Sequence, residues 1–233
     1  MKSICIIPAR SGSKRIKKKN IKFFFGKPII AYSINEAISS SVFDKVIVST
    51  DREDIAKISR EYGAEVPFIR PDELSDSFSG ISDVMKHAIN WLNLNGFDIE
   101  NACCVYATAP FIKKIDIISG LNKLITSDYD YVLSVGEFES SVQRAVVNKD
   151  EKGLSMLFSM KNFDIRSQDF ESVYFDAGQF CWGKKNAWIN DKIFNNNTGF
   201  IEIPSDRTID IDTKQDWDKA ELLYKIKKGL ENE

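Results

Sequence analysis

The sequence predicts an α/β fold in which a mostly parallel sheet carries helices on both faces. Short apolar, β-branched runs alternate about five times with stretches of helical spacing before Gly136, and the connections between them are short. Hydrophobic residues make up 43% of the 233, which is enough to bury a core. We therefore expect one Rossmann-like domain over residues 1–233, with a small insert at about 137–176, where the alternation stops.

The predicted strands are short runs rich in Ile, Val and Cys, as expected for strands that are buried on both faces. They fall at residues 3–8, 45–50, 102–106, 131–135, 180–182 and 208–211, with a short extended segment at 66–68. In open sheets of this kind, ligands bind beyond the carboxyl ends of the strands. The loops that follow the strands, together with the end of the strand at 208–211, should therefore build the functional site.

The helices are predicted from the spacing of apolar residues and from residues that commonly begin or end a helix. Their ranges are 28–39, with Pro near the start, 52–62 and 81–94, which precede Gly63 and Gly96, 115–125, and a closing helix at 213–228. Residues 137–176 have irregular apolar spacing and many polar side chains, so we expect an inserted hairpin or flap there.

The composition argues against several classes of protein. A net charge of −2 is unlike that of a dedicated nucleic-acid binder. No apolar run approaches the roughly 20 residues of a membrane-spanning helix, and the first strand is not preceded by the apolar core of a secretory signal. The four cysteines form no CxxC pair, which favours reduced thiols and a cytoplasmic location over disulfides or zinc.

Positive charge is concentrated at the start of the chain. Nine of the 32 basic residues lie before Glu36, which is the first acidic residue, and the remainder carries 23 basic and 34 acidic residues. A basic segment in an otherwise acidic protein usually faces an anion. Charge alone leaves a solvated basic loop open as the alternative.

The loop after the first strand has the residue types of a phosphate-binding loop. PARSGSKR, residues 8–15, combines small residues, which let backbone N–H groups approach a ligand, with the cations Arg10 and Lys14. It lacks the GxxxxGK[ST] pattern of a Walker loop and the GxGxxG pattern of a dinucleotide site. The loop is also longer than the usual strand-to-helix connection, which favours a functional loop over a solvated turn.

Asp210 and Asp212 lie at the end of the last predicted strand. Residues two apart on a strand point to the same face, so the two carboxylates should lie together. Such a pair beside bound phosphates suits Mg²⁺, which takes one or two carboxylates and completes its shell with water and phosphate oxygens. The alternative is a cap on the closing helix, with Asp212 or Thr213 at the N-cap, but a cap does not explain Asp210.

The first loop also resembles that of a known family. IIPARSGSKRIKKKN, residues 6–20, closely resembles the opening motif of the cytidylyltransferases that activate nonulosonic acids, the sialic acids and their bacterial relatives. FDKVIVSTD at 43–51 is similar to the family's second strand, and IDIDT at 209–213 is similar to its metal-binding signature. The resemblance covers nearly the whole chain.

The resemblance implies which residues contact CTP. In the family the first loop wraps the triphosphate, an arginine in a later loop contacts the nucleotide, and a PTSP-like turn lies beside the cytosine. The matching positions here are Ala9, Arg10, Ser11, Gly12, Ser13, Lys14, Lys19, Asn20, Arg70, Ala107 and Thr108.

The reaction implied by the resemblance is attack of the sugar's anomeric hydroxyl on the α-phosphorus of CTP, with pyrophosphate leaving. Arg10 and Lys14 are then expected to stabilise charge on the phosphates. Asp210 and Asp212 are expected to hold Mg²⁺, or Mn²⁺ in its place. A non-catalytic nucleotide sensor would need the loop but not both aspartates, and no side chain stands out as a general base.

Two departures from the family pattern concern the sugar. The sialic acid enzymes usually have Gln where this chain has Tyr106, and Asn where it has Ala177. Both segments resemble the pseudaminic acid branch, which implies CMP-pseudaminate synthesis for bacterial surface glycans or flagellin glycosylation. Enzymes for sialic, legionaminic or 3-deoxy-octulosonic acid are the alternatives.

The resemblance further implies sugar contacts and a dimer. Tyr106 and Gln179 match positions near the nucleoside and the sugar. Arg144 and Arg166 lie in the insert, where basic residues of the family reach the sugar carboxylate across a dimer interface. We expect a homodimer that exchanges residues 137–176, binds CTP and a nonulosonic acid, and has neither a nucleic acid nor a membrane as a partner.

Overall fold

A computed structural model describes residues 2–76, 79–148, 153–190 and 193–230. Its strands are, in chain order, β1 (Ser3–Pro8), β2 (Phe23–Phe24), β3 (Lys27–Pro28), β4 (Lys45–Ser49), β5 (Asn101–Val105), β6 (Tyr131–Glu137), β7 (Val146–Asn148), β8 (Leu154–Met156), β9 (Tyr174–Lys184) and β10 (Thr198–Glu202). Its helices are α1 (Ile30–Ser40), α2 (Glu53–Glu61), α3 (Ile81–Leu94), α4 (Lys114–Ile125), α5 (Lys185–Asn190) and α6 (Lys214–Leu230). Strands and helices alternate as the α/β prediction requires.

Within the described residues, the central sheet has six strands in the order β10–β6–β9–β5–β1–β4. β1 pairs in parallel with β4 and β5, and β10 pairs in parallel with β6. β9 runs antiparallel to both of its neighbours, β5 and β6. The mostly parallel sheet is therefore confirmed, and the start of β9 lies at the same edge of the sheet as the carboxyl ends of β5 and β6.

Helices cover both faces of this sheet, which explains why its central strands are apolar throughout. Side chains of α1, α2 and α4 pack with Trp182 in the core on one face. Side chains of α3 and α5 pack with Tyr131 in the core on the other face, where Trp188 of α5 is buried. The predicted arrangement of helices on both faces is confirmed.

The prediction of a last strand at 208–211 is wrong. The edge strand beyond β6 is β10, and residues 208–212 lie outside any strand. The reason is that the backbone there bonds to side chains: the Ile211 carbonyl accepts from Lys19, and the Asp212 N–H donates to Asp216. The segment predicted at 66–68 likewise forms no strand, and isolated bridges at Glu65 and Ile69 flank it.

A small hairpin anchors the long first loop. β2 and β3 are joined by Phe25 and Gly26, which both have positive φ (41° and 85°), as a two-residue type I′ turn requires. Phe24 is fully buried, and its ring packs edge-on against Trp217 and Tyr224 of α6. The hairpin therefore fixes the end of the basic loop against the closing helix.

The stretch between β6 and β9 stands apart from the sheet. β7 and β8 form an antiparallel pair of their own, and residues 149–152 of the predicted insert lie outside the described residues. Large apolar side chains in this stretch are exposed, among them Leu154 (74%), Met160 (70%) and Phe163 (71%). The division into one domain with an insert at 137–176 stays a prediction.

Candidate active site

A cleft of about 440 Å³ opens at the carboxyl ends of β1 and β5. Its size suits a small-molecule ligand. The residues that line it are Pro8, Arg10, Gly12, Ser13, Lys14, Arg15, Lys19, Asn20, Arg70, Leu74, Asp76, Ser79, Ile81, Val84, Tyr106, Ala107, Thr108 and Asp212. The structure therefore brings most of the predicted nucleotide contacts together, while Ala9 is buried in the core behind them and Ser11 lies just outside the lining.

The lining of the cleft is strongly cationic. Among the described residues, the lining cations are Arg10, Lys14, Arg15, Lys19 and Arg70, and the lining carboxylates are Asp76 and Asp212. A concave site in which positive charge exceeds negative charge favours a polyanion. Lys14 is exposed and makes no ion pair with a described residue, so its ammonium group is available to a ligand.

Hydrogen bonds to the end of β4 hold the first loop in shape. The Asp51 carboxylate accepts from both the backbone N–H (2.8 Å) and the hydroxyl (2.5 Å) of Ser11. The Asn20 amide donates to the Arg10 carbonyl at 2.8 Å, which closes the far end of the loop. The side chains of Ser11 and Asn20 thus order the loop, and its cations are left to face the cleft.

Arg70 is a buried cation with unfilled hydrogen-bonding capacity. Its side chain lines the cleft, but the residue is only 3% exposed. Nε donates to the Ser75 hydroxyl at 3.3 Å, and Nη2 has no partner among the described residues. Burial lowers the pKa of the guanidinium, although Arg remains charged in proteins. An unpaired buried donor of this kind indicates that the acceptor is a ligand.

The aspartate segment meets the basic loop at the cleft. Asp212 accepts from Arg15 at 2.8 Å and from Lys19 at 3.3 Å. Burial, followed by the negative charge of Asp212, raises the pKa of Asp210, and neither residue lies on a strand. Asp210 makes no hydrogen bond or ion pair with another described residue.

The cap of α6 is formed without the Asp212 side chain. Thr213 and Asp216 exchange reciprocal bonds: the Asp216 carboxylate accepts from the Thr213 N–H at 2.7 Å, and the Thr213 hydroxyl accepts from the Asp216 N–H at 3.2 Å. This is a capping box with Thr213 at the N-cap. The capping alternative therefore holds for Thr213 and leaves both Asp210 and Asp212 to be explained.

The donor set of the aspartate segment fits Mg²⁺. No three acidic, Cys or His side chains cluster into a metal site in the part of the chain that the structure describes. Magnesium does not need such a cluster, because it takes one or two carboxylates and leaves the remaining positions to water and phosphate. Asp210 has free carboxylate oxygens for this purpose, whereas Asp212 shares its own with Arg15 and Lys19.

Tyr106 forms the opposite wall, beyond the end of β5. Its N–H donates to the Gln179 carbonyl at 2.9 Å, and its own carbonyl accepts from the Ser33 hydroxyl at 2.7 Å. The phenol donates to the Asp176 carboxylate at 3.3 Å. The Gln179 amide donates to the Arg207 carbonyl at 2.6 Å, and Gln179 Oε1 is buried with no partner among the described residues.

Comparisons with known proteins decide the family. A family model described as "Cytidylyltransferase" matches residues 4–228. The chain belongs to the cytidylyltransferase family. The predicted membership of a cytidylyltransferase family is thereby confirmed, and the cationic cleft of this cytidylyltransferase lies where its fold should bind a nucleotide.

The relatives agree with this assignment. The chain is 40% identical, over 97% of both sequences, to the pseudaminic acid cytidylyltransferase of Campylobacter jejuni. It is 32% identical to the N-acylneuraminate cytidylyltransferase of Streptococcus agalactiae, over 93% of this chain and 52% of that protein. The solved structure of CMP:2-keto-3-deoxy-manno-octonic acid synthetase complexed with CTP has a TM-score of 0.72 and 16% identity, over 97% of this chain and all of that chain, so the two share a fold.

The two predicted sugar-binding arginines of this cytidylyltransferase lie outside the cleft. Arg144 donates to carbonyls of the stretch between β6 and β9, including that of Ile165, and to the Ser167 hydroxyl. Arg166 forms an exposed ion pair with Asp169 at 2.9 Å. Within one chain, Arg144 therefore orders the insert, and neither guanidinium contacts the nucleotide cleft.

Sequence reasoning missed the carboxylates that support the site. Asp51 follows β4 and shapes the first loop, and Asp176 at the start of β9 binds the Tyr106 phenol. The signal for Asp51 was present, because it is a polar residue at the carboxyl end of a predicted strand. Asp176 had no such signal, because its place depends on the antiparallel pairing of β9.

No helix in the described part of the chain has the length and apolar character needed to cross a bilayer.

Proposed function

We propose that the protein transfers the cytidylyl group of CTP to pseudaminate and releases diphosphate, forming CMP-pseudaminate. The observation that carries this proposal is 40% identity, over 97% of both sequences, to a relative named for that activity. The cationic cleft and the unpaired guanidinium of Arg70 support it, since both suit a polyanionic nucleotide. The sialic, legionaminic and 3-deoxy-octulosonic acids remain the alternative sugars.

The proposed step is an in-line displacement at phosphorus. The anomeric hydroxyl oxygen of the sugar forms a bond to the α-phosphorus, the bond from the α-phosphorus to the bridging oxygen breaks, and the hydroxyl proton is released. Arg10 and Lys14 hold the β- and γ-phosphates and offset the charge on the departing diphosphate. Most of the rate enhancement then comes from positioning and from charge that is fixed before the reaction begins.

A divalent cation completes the proposed site. Asp210 would hold Mg²⁺, or Mn²⁺ in its place, and Asp212 would join it by exchanging one of its ion pairs for the metal. When bound, the ion supplies positive charge to the phosphate oxygens and to the attacking hydroxyl. Lys19 and Arg15 hold the Asp212 carboxylate in place beside the loop.

We assign the sugar to the side of the cleft that carries Tyr106, whose backbone N–H bonds to the carbonyl of Gln179 behind it. Arg144 and Arg166 are proposed to reach the sugar carboxylate from a second copy of the chain. The exposed apolar side chains of the insert support a homodimer, since surfaces of this kind mark protein–protein contacts. The cysteines of the described residues are all unpaired, which supports a cytoplasmic location.

The dimer is testable by sedimentation. Phe163 is 71% exposed in the insert, and Leu94 is 88% exposed at the end of α3. We expect wild-type protein and the Leu94→Ser control to sediment as dimers, and Phe163→Ser to shift towards the monomer. A wild-type protein that is monomeric and fully active at the assay concentration would contradict the dimer.

The reaction class is tested by a pyrophosphate-release screen. The four ribonucleoside triphosphates are each paired with pseudaminate, N-acetylneuraminate, legionaminate and 3-deoxy-octulosonate in the presence of Mg²⁺. We expect release only with CTP and only when a keto-acid sugar is present. Release without a sugar, or an equal rate with UTP or ATP, would overturn the proposal.

A further inference from the structure

Asp176 is a carboxylate at the edge of the cleft that the proposed reaction does not use. It lies at the start of β9, opposite Val135 of β6, at the edge of the sheet where β5 and β6 end. Asp176 is exposed, and Gly178, which its carboxylate binds, lies directly beside the Asp210 side chain. The carboxylate therefore belongs to the same part of the molecule as the aspartate segment.

Two contacts fix the orientation of this carboxylate. Oδ1 accepts from the Gly178 N–H at 2.8 Å, and Oδ2 accepts from the Tyr106 phenol at 3.3 Å. Gly178 has a φ of 63°, a left-handed conformation that turns the chain back so that its N–H meets Asp176. A carboxylate has about four acceptor positions, so about half of the capacity of Asp176 is unfilled.

A second acceptor on β9 also lacks a donor. Gln179, three residues along β9, is only 3% exposed, and its Oε1 has no partner among the described residues. Its amide nitrogen already donates to the Arg207 carbonyl, so the oxygen cannot be satisfied by flipping the amide without losing that bond. Buried acceptors are rarely left unpaired in native proteins, which indicates a ligand or water donor at this place.

The charges at this wall restrict what can bind there. No cation forms an ion pair with Asp176 in the described residues, and Asp210 is also acidic. Phosphate groups and the sugar carboxylate are acceptors with negative charge, so this wall repels them and the cationic cleft attracts them. What remains is a neutral group that donates hydrogen bonds, on a part of the sugar away from its carboxylate.

We propose that Asp176 accepts a hydrogen bond from an amide N–H of the sugar's acetamido substituents, with Gln179 Oε1 as the second acceptor of the pair. An amide N–H needs an acceptor here because it can only donate, whereas a hydroxyl can also bond by accepting. This inference rests on the proposed function and names the residue that selects an acetamido sugar within it. Discrimination arises because a site that pairs a substrate N–H disfavours a substrate that lacks it.

The test compares Asp176→Asn with wild type and with Asp98→Asn. Asparagine keeps an oxygen for the Gly178 N–H but replaces the other acceptor with an NH₂ donor. Asp98 is a matched control because its side chain is 84% exposed in the loop after α3, where it pairs only with Lys185 among the described residues. KM for pseudaminate, KM for CTP and the unfolding temperature are measured for all three proteins.

We expect Asp176→Asn to raise the pseudaminate KM at least about tenfold, with the CTP KM within about twofold of wild type and the unfolding temperature unchanged. Asp98→Asn should match wild type in every measurement. An unchanged pseudaminate KM would overturn the inference, as would a CTP KM that rises by the same factor, since a cytosine contact or a structural role would then explain Asp176. A wild-type protein that accepts no nonulosonic acid would overturn the proposed function and this inference with it, whereas an active wild type and a wild-type pseudaminate KM in Asp176→Asn would overturn the inference alone.

Discussion

Lys19 Nζ lies 3.3 Å from Asp212 Oδ1 and 2.6 Å from the Ile211 carbonyl oxygen. This single ammonium group therefore joins the basic loop after β1 to the aspartate segment before α6, two motifs at opposite ends of the chain. The contact brings the predicted phosphate-binding cations and one of the two predicted metal-binding carboxylates, Asp212, to one cleft. It also holds the Asp212 carboxylate beside the basic loop.

The aspartates should be needed for turnover but not for folding. Asp210→Asn and Asp212→Asn should each lower kcat by on the order of 10³, since lost metal charge at a transferring phosphate is worth several kcal/mol. The ion pairs of Asp212 are exposed, so stability should fall by less than about 1 kcal/mol. Steady-state kinetics over a Mg²⁺ series and thermal unfolding measure both effects. Asp218→Asn on the exposed side of α6 is the control, and normal turnover in both site variants would remove the metal assignment.

Arg70 should matter for CTP more than for stability. Arg70→Met keeps most of the side-chain volume and removes a buried donor that has no protein partner, so the free protein should unfold at the wild-type temperature or higher. The CTP KM should rise about 10- to 100-fold, because a hydrogen bond to a charged group contributes about 1.5–3 kcal/mol. Arg52→Met, at a side chain that is 59% exposed, is the control. A destabilised variant with an unchanged CTP KM would make Arg70 a structural residue.

His87 should make stability depend on pH. Burial, and then the positive charge of Arg70, lower the pKa of His87 below its unfolded value of about 6.5. The unfolded chain therefore takes up this proton first, so the stability contributed by His87 is present above about pH 7 and is lost as the pH falls through the unfolded pKa towards the folded one.

Urea unfolding at pH 8 and pH 5.5 measures this effect. The difference in unfolding free energy between wild type and His87→Gln should shift against wild type at pH 5.5, by at most about 1.4 kcal/mol per pH unit. His87 is the single histidine of the sequence, so no other imidazole contributes. A difference that stays constant with pH would contradict the assignment.

Elements whose ends are marked by a nearby Pro or Gly were predictable from the sequence. β1 and α3 have the predicted bounds, 3–8 and 81–94, because Pro8 follows an apolar run and Gly96 follows a strongly periodic one. The basic loop was recognisable for the same reason, since its charge and its small residues are adjacent in sequence. The cleft they build could be placed by the rule that ligands bind at the carboxyl ends of strands.

The failures depend on partners that are distant in sequence. TGFIE at 198–202 and TIDI at 208–211 are similar β-branched runs, and only the first finds a parallel partner in β6. The unpaired nitrogen of Arg70 and the contact of the Asp176 carboxylate with Tyr106 depend on residues that only the folded chain brings together. Local composition carries no information on either of these relationships.

Pyrophosphate release with CTP, measured with pseudaminate and with N-acetylneuraminate at equal concentrations, tests the account most directly. Tyr106 lines the cleft at a position where the resemblance implies a more polar Gln in the sialic acid enzymes, and each substrate hydroxyl left unpaired discriminates by about 1–3 kcal/mol. The account predicts a rate at least about tenfold higher with pseudaminate. An equal or higher rate with N-acetylneuraminate would contradict it.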